Sequence, residues 1–193
     1  QREIVDDAKL VAQRYRFDAT PTGQIVVFQS VSDTIFDSAL TSLSAALLLT
    51  ALFLVIVYRL LEGGAMLGVV DLVPILLTVA LIVATMRYMN IPFNALTATV
   101  LSIAIGLGID YSAHMTHRFV DEYAGDNLDD ALTSTVLGTG GALTGSMFTT
   151  AFGIGVLVVA VTPILGQFGV VTAMAIVYSY LTSVVVLPSV IVV

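Results

Sequence analysis

Apolar residues in this chain fall into five long runs that are separated by short polar segments. The runs cover residues 39–58, 65–86, 93–117, 141–161 and 168–193. An α-helix rises about 1.5 Å per residue and the hydrocarbon core of a bilayer is about 30 Å thick, so about 20 apolar residues are enough to cross a membrane. The pattern therefore predicts an all-α membrane protein in which residues 38–193 form five transmembrane helices.

Two segments outside these runs have a pattern of their own. Residues 4–16 have the spacing of a short amphipathic helix, residues 20–23 predict a turn, and residues 24–28 predict a short strand. A helix followed by a strand is typical of an α/β domain, so we expect residues 1–37 to be the tail of an external α/β domain in a longer protein. Residues 127–137 predict a surface helix that joins the third and fourth spans, either as a coupling helix or as a solvated linker.

Composition supports the membrane assignment and excludes several functions. The chain is 58% hydrophobic and 11% charged, whereas soluble domains are about one quarter charged. The formal net charge of -7 argues against a nucleic-acid partner. Aspartate-rich, lysine-poor composition suggests a halophilic microbe. Cysteine is absent and no nucleophile constellation is visible, so we predict no enzymatic activity and no cofactor.

Arginine placement predicts the orientation in the membrane. Arg59 and Arg118 follow spans on one side, and Arg87 lies alone on the other. Because short cytoplasmic loops carry more basic residues, the side with two arginines is predicted to be cytoplasmic. Residues 1–37 would then lie outside the cell and the C-terminal end inside.

The third span ends in a line of titratable residues. Asp110, His114 and His117 lie at helical spacing i, i+4 and i+7, heading toward Arg118. A charged side chain inside a span costs about 2.5–3.5 kcal/mol on insertion scales, so Asp110 should face protein or water. We interpret Asp110 and Tyr111 as a proton relay, although a carboxylate that only satisfies a polar neighbour is the alternative. The histidines are candidates for proton exit, for a metal-binding pair, or for simple contact with headgroups and water.

Small and polar residues elsewhere predict how the helices pack. Two pairs of glycines predict close approach of helices: Gly106 and Gly108, two residues apart, and Gly141 and Gly145, four residues apart. Hydroxyl groups on the fourth and fifth spans predict a polar seam that could meet Asp110, at Thr149, Thr150, Tyr178, Ser179 and Thr182. Asp71 precedes Pro74 by three residues, so it could reach the surface, bond backbone freed by the proline, or take part in transport.

These residues resemble the resistance–nodulation–division (RND) superfamily of exporters, in the branch of MMPL, hopanoid-transporter and Patched-like proteins. The resemblance covers about residues 30–193. It rests on Gly106-Leu-Gly-Ile-Asp110-Tyr111, on the segment from Ser112 to Arg118, on Ala131-Leu followed by Val136 and Gly138, on the segment from Gly141 to Gly153, and on Leu187-Pro188.

The resemblance implies a twelve-helix protein of two similar halves, each with one helix before and five helices after a large external domain. This chain matches the end of one external domain and the five helices after it. Asp110 and Tyr111 would form the family's proton relay with a counterpart in the other half or an oligomeric partner. The implied function is export of a hydrophobic or lipid-like substrate driven by protons, with sodium as a variant. A lipid- or sterol-sensing module without transport is the alternative.

Overall fold

The computed structural model describes residues 7, 10–15, 24–123 and 127–192, and the last two of these ranges form a bundle of five long helices. We name them α1 to α5 in chain order: Gln24–Leu61, Ala65–Tyr88, Ala95–Glu122, Leu128–Val159 and Pro163–Ile191. All five are long and apolar enough to cross a membrane, which confirms the five predicted spans. We call the end of the bundle where α3 finishes the Arg118 side, and the opposite end the Arg87 side.

Helix α1 begins earlier than the sequence predicts. Residues 24–28, predicted to be a strand, form the first turns of this helix, and the strand prediction is wrong. A short apolar run has no period that separates a strand from a helix, and here the run continues directly into a helix of 38 residues. No strand occurs in the described ranges, so the predicted external α/β remnant is not supported. Residues 10–14 are helical, within the predicted amphipathic helix, whereas the predicted turn at 20–23 lies outside the described residues.

Helix α2 consists of two parts that meet at Asp71. The parts are Ala65–Val70 and Leu72–Tyr88. Pro74 has no N–H group and therefore cannot bond the carbonyl four residues before it, which weakens the helix at this point. The N–H of Asp71 still donates to the carbonyl of Leu67 at 3.0 Å, so the helix axis continues through the break.

Close contact between α1 and α2 depends on Gly68. A Cβ atom at this position would lie 2.7 Å from the carbonyl carbon of Leu54 and 2.8 Å from the backbone nitrogen of Val55. Only a residue without a side chain allows this separation. The turn between the two helices contains Gly63 at a φ of 70°, a conformation that glycine adopts without strain.

Helix α3 has a well-defined start. The Asn94 side chain accepts hydrogen bonds from the N–H groups of Leu96 and Thr97, both at 3.0 Å. The Thr97 hydroxyl in turn accepts from the N–H of Asn94 at 2.9 Å. This reciprocal capping box satisfies backbone donors that the first helical turn leaves free, and it fixes where the span that carries Asp110 begins.

Helix α4 includes the segment that the sequence predicts as a separate surface helix at residues 127–137. Leu128–Thr135 continues through a π-helical turn at Val136–Gly140 into Gly141–Gly155. A π turn accommodates an extra residue without ending the helix. A second π turn, Thr182–Val186, lies in α5 just before Pro188.

The core of the bundle lies where α3 packs against α5, α2 and α1. Small or β-branched side chains occupy its centre, and Val100, Ala104 and Ala175 are fully buried there. Leu48, Leu49 and Phe53 on α1 are exposed, as expected for a helix that faces lipid.

Candidate functional site

The predicted line of titratable residues is present along the outer face of α3. His114 Nε2 lies 3.4 Å from Asp110 Oδ1, and both side chains are more than 60% exposed. His117 Nδ1 lies 2.9 Å from Glu62 Oε1 at the end of α1, and its Nε2 lies 3.9 Å from Asp121. The structure thus connects the line to α1 through Glu62, which the sequence analysis did not include.

Asp110 and Tyr111 are adjacent in sequence but face different surroundings. Successive residues of a helix point about 100° apart, so Asp110 faces outward while Tyr111 is buried. The Tyr111 ring meets the ring of Tyr180 edge to face, with centroids 6.1 Å apart. The hydroxyl of Tyr180 lies 2.6 Å from that of Thr144 on α4. Tyr111 therefore faces the contact between α3, α4 and α5.

Asp71 forms a buried cluster that the sequence analysis missed. It is fully buried, and so does not reach the surface. The hydroxyl of Tyr58 donates to Asp71 Oδ2 at 2.7 Å, and the hydroxyl of Thr116 donates to Oδ1. One signal could have indicated the first contact. In an antiparallel pair with a short turn, Tyr58 near the end of α1 and Asp71 near the start of α2 lie at similar depth.

The predicted polar seam is divided between two places. The Tyr178 hydroxyl lies 2.8 Å from that of Thr85, and the Thr182 hydroxyl lies 2.8 Å from that of Thr78. These contacts join α2 to α5, and Ser179 is fully buried on the same helix. In contrast, Thr149 and Thr150, the two predicted members of the seam on α4, lie away from this contact. Their hydroxyls donate to carbonyls of their own helix.

The predicted packing glycines also differ from one another. A Cβ atom on Gly108 would lie 3.1 Å from Ile75 Cγ1, so this glycine does allow close packing of α3 on α2. Nothing lies within 4 Å of such an atom on Gly106, Gly141 or Gly145. These three glycines are exposed on α3 and α4, and Gly106 lies one helical turn before Asp110.

A cavity of about 250 Å³ lies between α1 and α3 toward the Arg118 side. Its polar lining consists of titratable groups, namely Tyr58, Glu62, Asp110, His114 and His117. The cavity is thus lined both by Asp110 and by Tyr58, whose hydroxyl donates to Asp71. Within the ranges that the structure describes, no three histidine or acidic side chains lie close enough to hold a metal ion.

Five helices that are long and apolar enough to cross a membrane define a multi-pass membrane protein. The chain belongs to the MMPL family, whose sequence model matches residues 2–193. This is a transporter family of the RND superfamily and is generally not enzymatic. The predicted superfamily is confirmed at this level, whereas the finer branch and the halophilic origin stay predictions.

One relative is the membrane protein MJ1562 of Methanocaldococcus jannaschii. The two sequences are 33% identical over 127 residues, which is 65% of this chain and 33% of that protein. The matched region thus spans about one third of the length of the relative. Membership of a transporter family does not favour the alternative function, a lipid- or sterol-sensing module without transport.

Proposed function

We propose that this chain is part of a proton-driven exporter of hydrophobic or lipid-like substrates, with Asp110 and Tyr111 as its proton relay. The observation that carries the proposal is the position of Asp110 on the outer face of a membrane-spanning helix, with its side chain 61% exposed. A carboxylate directed at lipid is costly, so a further polar surface should cover it. The open surface at Gly106 leaves room for that surface to approach closely.

The covering surface is, in this proposal, the corresponding face of the other half of the transporter or of an oligomeric partner. His114 and His117 then lead protons between Asp110 and the Arg118 side, which we propose to be cytoplasmic. Residues 1–37 would lie outside. The distance of 3.4 Å between Asp110 Oδ1 and His114 Nε2 supports a path in which the proton passes between these two side chains.

Two apolar cavities support a hydrophobic substrate. One of about 440 Å³ lies between α1, α2 and α3 and includes Phe36, Leu40 and Arg87 in its lining. The other, of about 670 Å³, lies between α4 and α5 and includes Phe148 and Phe152. Sites for apolar ligands are typically cavities of about 300–1,000 Å³ with a few polar groups.

The test is transport by the full-length protein in liposomes, with a fluorescent fatty acid as probe and an imposed proton gradient. Asp110→Asn keeps the size of the side chain but removes its titratable charge, and should abolish proton-driven movement of the probe. Asp129→Asn, which makes the same change at an exposed position of α4, should transport normally. Unchanged transport by Asp110→Asn, or equal transport driven by sodium alone, would show that the proposal is wrong.

A further inference from the structure

Asp71 is a buried carboxylate outside the proposed relay. Its two described partners are neutral hydroxyls, those of Tyr58 and Thr116. No lysine, arginine or histidine in the described part of the chain forms an ion pair with it. An isolated carboxylate buried in this way is strongly disfavoured, and taking up a proton removes the cost.

The titratable groups around Asp71 come from two helices. Tyr58 lies on α1 and Glu62 directly follows that helix, while α3 contributes His117, which is next to the non-titratable Thr116. The part of α5 that packs against Ala65–Val70, residues 187–191, includes no charged or titratable side chain. The Tyr178 hydroxyl of α5 also contacts α2, but at Thr85, 14 residues beyond Asp71. The side of α1 and α3 is therefore the one where titratable groups lie near Asp71: Tyr58 contacts it, and Glu62 and His117 line the adjacent cavity.

Tyr58 links Asp71 to the cavity on that side. Its side chain lines the cavity between α1 and α3, where Glu62 and His117 also lie, and its hydroxyl is in contact with Asp71 Oδ2. A tyrosine hydroxyl both donates and accepts hydrogen bonds, so it can receive a proton from the cavity while it passes its own proton on.

We propose that Asp71 is a second proton-binding carboxylate, loaded from the cavity between α1 and α3 through the Tyr58 hydroxyl. In the loading step, protonated His117 or a hydronium ion in the cavity loses a proton to the Tyr58 oxygen. The original Tyr58 proton moves to Asp71 Oδ2, so Tyr58 stays neutral and one proton is transferred. Asp71 then donates to the Tyr58 oxygen, and the Tyr58 O–H turns to the cavity. As a step in transport this rests on the proposed function, whereas proton binding itself does not.

The test is infrared difference spectroscopy of the full-length protein in lipid, between alkaline and acidic buffer. The expected result is a carboxylic-acid C=O band that Asp71→Asn lacks and Asp129→Asn retains. In Thr116→Val, which keeps the carboxyl, the band should shift because one hydrogen bond is lost. This second variant keeps the test decisive if Asp71→Asn does not fold. No Asp71-dependent band between about pH 4 and about pH 9, where side-chain carboxyls and histidines titrate, would overturn the proposal.

The route is tested by the rate at which the band appears after a jump to acidic pH. Tyr58→Phe should slow it, while Tyr178→Phe, which removes a hydroxyl bonded to Thr85, should not. Loading of Tyr58→Phe at the wild-type rate would overturn the route, and loss of the band on adding sodium at constant pH would identify a sodium site instead. The measurement needs neither substrate nor gradient, so its failure is distinct from failure of transport through Asp110.

Discussion

Removing the Tyr58 hydroxyl should destabilise the bundle more than removing any hydroxyl that bonds a neutral partner. Tyr58→Phe deletes one of the two hydrogen bonds to the buried carboxylate of Asp71. Hydrogen bonds to charged groups contribute about 1.5–3 kcal/mol, against about 0.5–1.5 kcal/mol for neutral pairs. At about 1.4 kcal/mol per factor of ten, the unfolding equilibrium constant should rise by about 10- to 150-fold in alkaline buffer, where Asp71 is ionised.

The assay is equilibrium unfolding of the full-length protein in mixed micelles, followed by loss of helical circular dichroism. Tyr178→Phe is the matched control, because it removes a partly buried hydroxyl that lies 2.8 Å from the neutral Thr85. Repeating Tyr58→Phe in an Asp71→Leu background completes a double-mutant cycle. We expect a coupling free energy of about 1.5–3 kcal/mol, since the charged acceptor is absent from that background.

Two results would refute this reasoning. If Tyr58→Phe costs no more than Tyr178→Phe in alkaline buffer, Asp71 is not an ionised acceptor under those conditions. If Tyr58→Phe costs as much in the Asp71→Leu background as in the wild type, the loss comes from packing of the tyrosine ring and hydroxyl and not from the hydrogen bond to Asp71.

Two further predictions concern the glycines. Gly68→Ala should lower the free energy of unfolding by about 1–3 kcal/mol, because its Cβ atom would overlap the backbone of Leu54. The control Gly153→Ala has open space around it and should be neutral or stabilising. Equal free energies of unfolding for the two variants in the same micelle assay would contradict the close approach of α1 and α2. Gly106→Leu should leave unfolding nearly unchanged but reduce proton-driven probe transport in liposomes, because the proposed partner surface approaches there; normal transport would argue against that surface.

The five spans and the line on α3 could be read from the sequence because each depends on a local property. A run of about 20 apolar residues crosses a bilayer wherever it packs, and the spacing of Asp110, His114 and His117 places them along one helix face. The incorrect strand at residues 24–28 has a local cause too, since so short a run fits either period. Only the helix that continues after it decided the outcome.

The tertiary structure decided which polar groups meet. Asp71 and Tyr58 are 13 residues apart and Asp71 and Thr116 are 45 apart, so no local pattern links them. Their contact exists because Gly68 lets α1 and α2 approach closely and because α3 packs across both. By itself the sequence determined that the chain crosses the membrane five times and where Asp110 lies along its helix. Packing of helices distant in sequence determined that Asp71, and not Asp110, is the carboxylate buried inside this bundle, because burial depends on neighbours that the sequence does not place.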